Sequence, residues 1–192
     1  MNTCSKISAG LAFDCANPPI AGVDDLLIVI NRADYNNATI TRDNVNPQLI
    51  TDIVLPSGVV AYSFEGKNNS IEPSSELVKR PYSETYKHMI DFKAFVNTAA
   101  AKKTIEKLAQ GLYICIVANN KKGTAGAECY EVYGNDAGLQ ATVITRKLND
   151  ADTQGVSAIT LSTPEKSAEG NLPASLFKTD YATTKAIVDG LI

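Results

Sequence analysis

The stretch that most constrains the fold is residues 86–163, where the hydrophobic pattern changes from a strand period to a helix period and back. Its first segment, YKHMIDFKAFV, alternates between two faces. A two-residue period is typical of a strand in a sheet with one buried side. The residues that this alternation assigns to the buried face are Tyr86, His88, Ile90, Phe92 and Ala94. We therefore predict a long strand at the start of this stretch.

The next segment has the spacing of an amphipathic helix. Its apolar residues fall at Ala101, Ile105, Leu108 and Ala109, while Lys102, Lys103, Glu106 and Gln110 lie opposite. This pattern predicts a helix of about three turns. Asn97 and Thr98 can cap its first amide groups, and Gly111 can supply the left-handed residue that commonly ends a helix.

Four further strands are predicted after the helix, because short β-branched and aromatic runs alternate with turn residues. They cover residues 112–118, 128–133, 139–146 and 156–163. The glycines and asparagines of residues 134–138 and 149–155 predict two hairpins between the last three of these strands. The expected core is an antiparallel β-meander, as a sheet or sandwich, with one helix packed on it.

The rest of the chain is also predicted to be mostly β. Residues 26–30 indicate a strand that is buried on both faces, and short strands are expected at residues 38–42, 50–55 and 59–65. Three irregular tracts are predicted: a lead-in at residues 1–23, a long loop at 66–83 and a tract at 164–178. The loop is interpreted either as a mobile surface segment or as an arm that reaches a neighbouring subunit.

A short helix from Asp180 is predicted to follow the last tract, because Tyr181, Thr184, Ile187, Val188 and Leu191 share one side. The C-terminal region 164–192 is thus an irregular tract and a docked helix. The whole chain, residues 1–192, is predicted to be one domain of the α+β class, mainly β.

Composition excludes some classes of partner. The net charge is −3 and the pI is near 5.2, whereas proteins that hold nucleic acid by neutralising phosphates usually carry a basic face. Transient contact with nucleic acid remains compatible with this charge. No apolar run approaches the roughly 20 residues that a membrane-spanning helix needs, and the short apolar run after Lys6 is not a signal peptide.

The sequence predicts no catalytic, cofactor-binding or metal-ligating residues. Its four cysteines, Cys4, Cys15, Cys115 and Cys129, form no CxxC pair. We interpret Cys115 and Cys129 as small buried residues of a protein made in a reducing cytosol, with a bridge between them as the alternative. The only histidine, His88, is expected to be a sheet residue, although a general base is the alternative.

Two further motifs are also interpreted as turns. Residues 150–155 alternate acidic residues like the start of a calcium-binding loop, but the twelfth position is Leu161 where such loops carry a glutamate. Residues 120–126 contain glycines and lysines without the order of a phosphate-binding loop. Both segments are therefore predicted to be turns.

A series of short motifs resembles a known family. They are Cys15-x-Asn17-Pro18, Leu27-Ile28-Val29-Ile30-Asn31, Ile50-Thr51-Asp52-Ile53, Tyr62-x-Phe64-Glu65-Gly66, Glu131-Val132-Tyr133-Gly134-x-x-Ala137-Gly138-Leu139 and Asn149-Asp150-x-Asp152-Thr153-x-Gly155. In this order they resemble virion structural proteins of phages that infect Bacteroides-like bacteria, the crAss-like phages among them. The similarity spans residues 15–177.

The resemblance implies a non-enzymatic protein of the phage tail or head-tail connector. Such proteins are expected to form rings, often on the tail-tube fold, in which strands from each subunit join a continuous barrel and a helix packs outside. The implied partners are further copies of this chain, neighbouring ring, tail or connector proteins, and transiently the passing DNA. The implied location is the virion, after assembly in the cytoplasm of the bacterial host.

Two alternatives from other classes stay open. One is a monomeric β-rich binding module, either an adhesin or a carbohydrate binder. Aromatic exposure separates it from a ring protein, because sugar platforms favour Trp and Tyr, and this chain has no Trp and eight scattered Tyr. The other is a small hydrolase that uses dispersed carboxylates, which requires two acidic residues that converge on one cleft.

Overall fold

The computed structural model describes residues 9–12, 15, 18, 20–151 and 153–192. Strands hold 42% of the structure and helices 15%, which confirms the predicted α+β, mainly β class. The strands are β1 Val23–Asn31, β2 Thr39–Arg42, β3 Leu49–Val54, β4 Tyr62–Glu65, β5 Ile71–Arg80, β6 Ser83–Ala94, β7 Tyr113–Asn119, β8 Tyr130–Tyr133, β9 Gln140–Arg146, β10 Ser157–Ser162 and β11 Ala174–Leu176. The helices are α1 Arg32–Asn36, α2 Ala99–Leu108 and α3 Tyr181–Asp189, with a 3₁₀ turn at Thr124–Gly126.

The strands form two sheets. The large sheet has seven strands in the order β2-β3-β11-β8-β7-β1-β4, and the small sheet has four in the order β5-β6-β10-β9. Every neighbouring pair in the small sheet is antiparallel. In the large sheet β11 runs parallel to β3 and antiparallel to β8.

The two sheets face each other across one hydrophobic core, which we call the inner core. Strand β1 contributes Leu27 and Val29 to it, and β6 contributes Ile90 and Phe92 from the opposite sheet. The buried side chains Ile105 and Leu108 of α2 belong to the same core. This observation confirms the predicted buried face of that helix.

A second hydrophobic core, the outer core, covers the other face of the large sheet. Ile28 and Ile30 of β1 pack there together with Val188 and Leu191 from the C-terminal region. Strand β1 therefore has apolar contacts on both faces, and the four residues from Leu27 to Ile30 are at most 2% exposed. This burial explains the unbroken apolar run and confirms the prediction made from it.

Both predicted helix starts are confirmed by their caps. The Thr98 hydroxyl accepts a hydrogen bond of 3.2 Å from the Ala101 amide, and an Asp180 carboxylate oxygen accepts one of 2.7 Å from the Thr183 amide. These side chains occupy the free amide groups of the first turn.

The predicted end of α2 at Gly111 is wrong. The helix is capped by Ala109 in a right-handed conformation, and Gly111 is not left-handed. A β-carbon on Gly111 would collide with the Tyr113 hydroxyl oxygen. That hydroxyl donates a 2.8 Å hydrogen bond to the Lys107 carbonyl, so Gly111 leaves room for the side chain that satisfies the helix end.

The long loop predicted at residues 66–83 is largely a strand. Strand β5 pairs with β6 along its whole length, from Ile71 opposite Phe92 to Arg80 opposite Ser83. It lies at the edge of the small sheet, where polar side chains remain in water on both faces and the hydrophobic alternation is lost. Edge strands also tolerate a proline such as Pro73, so neither signal excluded a strand.

The predicted hairpin across residues 134–138 is also wrong. Strand β8 pairs with β7 and β11 in the large sheet, whereas β9 pairs with β10 in the small sheet. We call residues 134–138 the crossing loop, since they carry the chain from one sheet to the other. The continuous meander is thereby divided between two sheets. The other predicted hairpin, between β9 and β10, is confirmed.

The irregular tracts at the two ends differ in outcome. In the lead-in 1–23, the described residues before β1 lie outside helices and strands, and Cys4 and Asn17 lie outside the described residues. The tract 164–178 contains β11, which the sequence did not predict. With only three residues, β11 is too short to show a period, yet it lies inside the large sheet between β3 and β8.

Candidate functional site

The free edges of the small sheet are the first candidate for function. Strands β5 and β9 each have one neighbour in this sheet, so each presents a row of backbone groups on its other side. Such edges are templates for pairing with another chain unless they are covered or charged. Strand β9 is rich in β-branched residues, and residues 142–146 are all exposed.

The β9 edge leaves apolar surface uncovered. Ile144 lies opposite Ile159, which is 2% exposed in the inner core, but Ile144 itself is 39% exposed. Val143 is 44% exposed. The core side of β9 is therefore only half closed, because no strand among the described residues follows it in the sheet. A further strand at this position would cover Ile144.

The other edge continues into a two-stranded ribbon. Strand β10 ends at Ser162, which pairs with Met89, and an isolated bridge joins Tyr86 of β6 to Glu169. The part of the β5–β6 hairpin beyond Tyr86 extends past the rest of the small sheet. Tyr82 at its tip is 100% exposed and Leu77 is 51% exposed. Isolated two-stranded hairpins are marginally stable in water. The ribbon would therefore be stabilised by a contact with another chain.

The outward face of the small sheet forms an open groove of about 700 Å³. Most of its lining residues are polar, and two of its carboxylates are already engaged. Glu76 lies 3.6 Å from the Lys87 ammonium group, and Asp91 accepts a hydrogen bond from the Thr160 hydroxyl. Tyr86 is the one aromatic residue among the described residues that line the groove.

A partly buried polar cluster lies at the crossing loop, and we call its three members, His88, Asp136 and Glu169, the polar node; His88 and Glu169 are buried, whereas Asp136 is exposed. Glu169 is 1% exposed, and its two carboxylate oxygens accept hydrogen bonds of 2.8 and 2.9 Å from the amides of Asp136 and Ala137. Asp136 in turn accepts a 2.9 Å bond from the Gly170 amide. The node therefore ties the crossing loop to the tract before β11.

His88 completes the polar node from β6. Its Nδ1 accepts a 3.1 Å hydrogen bond from the Gly134 amide, and its Nε2 lies 3.0 Å from the Asn171 carbonyl oxygen. A carbonyl oxygen can only accept, so the proton of the neutral ring is on Nε2. The ring also meets Tyr133 edge-on, with centroids 5.5 Å apart.

The acid–base properties of the node follow from burial. Burial lowers the pKa of His88 below its ordinary value of 6.5, although the Asn171 carbonyl and the Asp136 carboxylate partly oppose this effect. Burial also raises the pKa of Glu169 above its ordinary value, and the amides of Asp136 and Ala137 act against it. The side chains of His88 and Glu169 thus make their hydrogen bonds in the interior of the protein.

The structure places His88 as the sequence predicted, on the buried face of β6 at 1% exposure. Both ring nitrogens are occupied by backbone groups, which is the arrangement of a structural histidine. Glu169 was not predicted, because it lies in a tract without a period and contacts residues far away in sequence. A lone acidic residue between Ala168 and Gly170 carries no local signal of burial.

Cys15, Cys115 and Cys129, the cysteines that the structure describes, are free, and for Cys115 and Cys129 this agrees with the favoured interpretation. Cys115 belongs to the inner core and Cys129 to the outer core, so the large sheet separates their surroundings, and the alternative of a bridge between them is wrong. Within the described residues, no group of three His, Cys, Asp or Glu side chains could hold a metal ion. Residues 150–155 lie in the turn between β9 and β10, with Asp152 outside the described residues.

Comparison of this chain with protein-family models, with curated proteins and with solved structures finds no match. In the part of the chain that the structure describes, no helix has the length and apolar character needed to cross a membrane.

Proposed function

We propose that this chain is a non-enzymatic phage virion structural protein that forms a symmetric ring in the tail or head-tail connector and contributes to the DNA passage. The observation that supports the ring most strongly is the small sheet, in which four antiparallel strands end in a free edge on each side. The virion assignment rests on the resemblance of the sequence motifs. The proposal of a ring also has physical support that does not depend on this resemblance.

Strand direction makes the small sheet suitable for ring closure. Its strands alternate in direction from β5 to β9, so the two edge strands run in opposite directions. Rotation about a ring axis preserves the direction of each strand along that axis. The β9 edge of one copy therefore meets the β5 edge of the next copy antiparallel, and the alternation continues around the ring without a break. Closure of this kind removes every free edge of the sheet.

The energetics of such a seam favour association. Each backbone hydrogen bond formed contributes about 0.5–1.5 kcal/mol net, and several would form along the seven residues of β9. Covering Ile144 adds hydrophobic burial. The same surface appears on every copy, so one interface type repeated around an axis builds the whole assembly.

The proposed partners follow from this arrangement. They are other copies of the chain, neighbouring virion ring, tail or connector proteins, and the passing DNA in transient, non-specific contact. A net charge of −3 favours passage over retention, because phosphates are repelled by an acidic surface. The proposed location is the virion, with assembly in the host cytoplasm.

Blocking the β9 edge tests the ring. Val143→Lys puts a charge on the exposed edge, a device by which natural sheets avoid pairing. The matched control is Leu148→Lys, since Leu148 is 70% exposed and lies beyond the end of β9. We expect sedimentation to show loss of the oligomer for Val143→Lys and retention for Leu148→Lys, with similar melting temperatures. Equal assembly by both variants would show that β9 is not part of the interface.

The monomeric binding module has one observation in its favour, the groove of about 700 Å³ on the outward face of the small sheet. This volume is within the range of small-molecule sites, about 300–1,000 Å³. Sugar sites usually offer aromatic platforms, however, and Tyr86 alone supplies an aromatic side chain to the described lining. Binding of a glycan by a strictly monomeric chain, lost in Tyr86→Ala, would support the module over the ring.

A further inference from the structure

The polar node binds the crossing loop, which connects β8 of the large sheet to β9 of the small sheet. Gly134 and Gly138, at the two ends of this loop, adopt left-handed conformations, with φ of 77° and 78°. The Gly138 amide donates a 2.8 Å bond to the Gly134 carbonyl. Three further amides of the loop, those of Gly134, Asp136 and Ala137, donate hydrogen bonds to side chains of the polar node. The position of the loop thus depends on acceptors that can be titrated.

We propose that the bond between His88 and Gly134 is a proton-sensitive latch: a proton on Nδ1 replaces the acceptor with a donor, releases the Gly134 amide and loosens the crossing loop. The neutral ring has one acceptor nitrogen, and the Gly134 amide uses it. The other nitrogen cannot compensate, because it faces the Asn171 carbonyl. Two N–H groups would then point at each other across 3.1 Å.

Charged and titratable groups face the ring from several elements. Asp136 of the crossing loop is acidic and favours a protonated ring. Glu169 of the tract before β11 and Arg42 at the end of β2 line the same cavity as His88. Tyr133 of β8 contacts the ring without a charge. Arg32 of α1 donates to the Asp136 carbonyl and brings a second positive charge to the loop.

The node is accessible to protons although the side chains of His88 and Glu169 are buried. His88, Asp136 and Glu169 line a cavity of about 260 Å³ together with Arg42 and Asn135. This volume holds several water molecules, since one occupies about 30 Å³ in the liquid. Its walls are polar, which is the condition for hydration. A proton can therefore reach His88 without unfolding of the chain.

The latch opens in acid. Burial holds the pKa of His88 below its ordinary value of 6.5, so the latch is closed at neutral pH and opens as the pH falls through this lowered pKa. Loosening the crossing loop leaves the connection between β8 and β9 less tightly held. This inference concerns one chain and does not depend on ring formation.

Nuclear magnetic resonance of the full chain tests the latch directly, because the chain has a single histidine. We expect ¹⁵N shifts of the neutral Nε2–H ring at pH 7.5 and of the charged ring in acid. Over the same titration, the protection of the Gly134 amide against hydrogen exchange, corrected for the intrinsic rate, should fall about fivefold or more, as expected for the net value of one hydrogen bond. Constant protection of Gly134 while His88 titrates would overturn the latch.

Two variants separate His88 from Glu169. In His88→Gln, the side-chain amide offers an acceptor to Gly134 and a donor to Asn171 without a proton to gain, so protection at Gly134 should stay constant with pH. In Glu169→Gln, the pH response of Gly134 should persist, because His88 still titrates. A response that survives in His88→Gln and disappears in Glu169→Gln would assign the effect to Glu169 and contradict the proposal. The measurement on the natural chain decides the matter even if either variant fails to fold.

Discussion

Tyr86 and Glu169 exchange two backbone hydrogen bonds, with N···O distances of 2.8 and 3.1 Å. This pairing joins the small sheet to the tract that precedes β11 in the large sheet. The Glu169 side chain then binds two amides of the crossing loop. One residue thus connects three separate segments of the chain, and its removal is a sharp test of how the two sheets are held together.

Glu169→Ala should destabilise the fold. The variant removes the acceptor of the amides of Asp136 and Ala137, which lie in a partly buried loop, and each lost hydrogen bond costs about 0.5–1.5 kcal/mol. Glu165→Ala is the matched control, because the Glu165 side chain is exposed and only its backbone carbonyl is bound, by Arg80. Urea unfolding should show a clear loss of stability for Glu169→Ala alone. Equal midpoints for the two variants would mean that Glu169 does not hold the loop.

Leu108→Ala should lower the stability by about 2–5 kcal/mol, the usual range for a buried leucine. Leu108 is 4% exposed in the inner core. Lys102→Ala changes an exposed position of the same helix and should cost less than about 0.5 kcal/mol. Thermal melts monitored by circular dichroism compare the two. Similar melting temperatures would mean that α2 does not seal the inner core.

The stability of the natural chain relative to His88→Gln should fall in acid. Because the pKa of His88 is lowered in the fold, the unfolded chain takes up this proton first, and the free energy of unfolding decreases as the pH falls below 6.5. Glu169 has the opposite sign, since its raised pKa makes the folded state bind the proton first. Taking the difference between the two proteins cancels the Glu169 contribution.

Urea unfolding of both proteins from about pH 7.5 to about pH 5 measures this difference. Its slope has an upper limit of about 1.4 kcal/mol per pH unit for a single group. A difference that stays flat, or that grows in favour of the natural chain in acid, would show that His88 is not held neutral by the fold.

The thiols should differ strongly in reactivity. Cys15 is exposed, whereas Cys115 and Cys129 are each 0% exposed and burial raises the pKa of both. Since the thiolate is the reactive form, we expect a thiol reagent to modify Cys15 in the native protein and the two core cysteines only after denaturation. A Cys4→Ser background restricts the measurement to these three. Rapid native modification of Cys115 would contradict the packing of the large sheet.

Much of the fold follows from local sequence. The run at β1, the alternation of β6 and the helical spacing of α2 are strong because each reflects burial on a defined face. The caps Thr98 and Asp180 mark helix starts by the hydrogen bonds they accept. In these elements the local pattern and the tertiary environment agree.

Other features depend on contacts that a local pattern does not contain. Gly134 and Gly138 are equally suited to a hairpin and to a crossing between sheets, and the choice is made by Glu169 and His88 from distant parts of the chain. Strand β5 loses its alternation at the sheet edge, and β11 is too short to have one. The polar node could not be predicted from the sequence for the same reason, because its members come together only in the folded chain.

Native mass spectrometry of the purified chain at tens of micromolar, with negative-stain images of the same sample, tests the proposed ring most directly. If the chain forms the proposed ring, we expect a closed assembly whose mass is an integer multiple of 20.5 kDa, visible as rings of uniform size. A 20.5 kDa monomer at every concentration, with no ring of this chain in phage particles that contain it, would contradict the proposal.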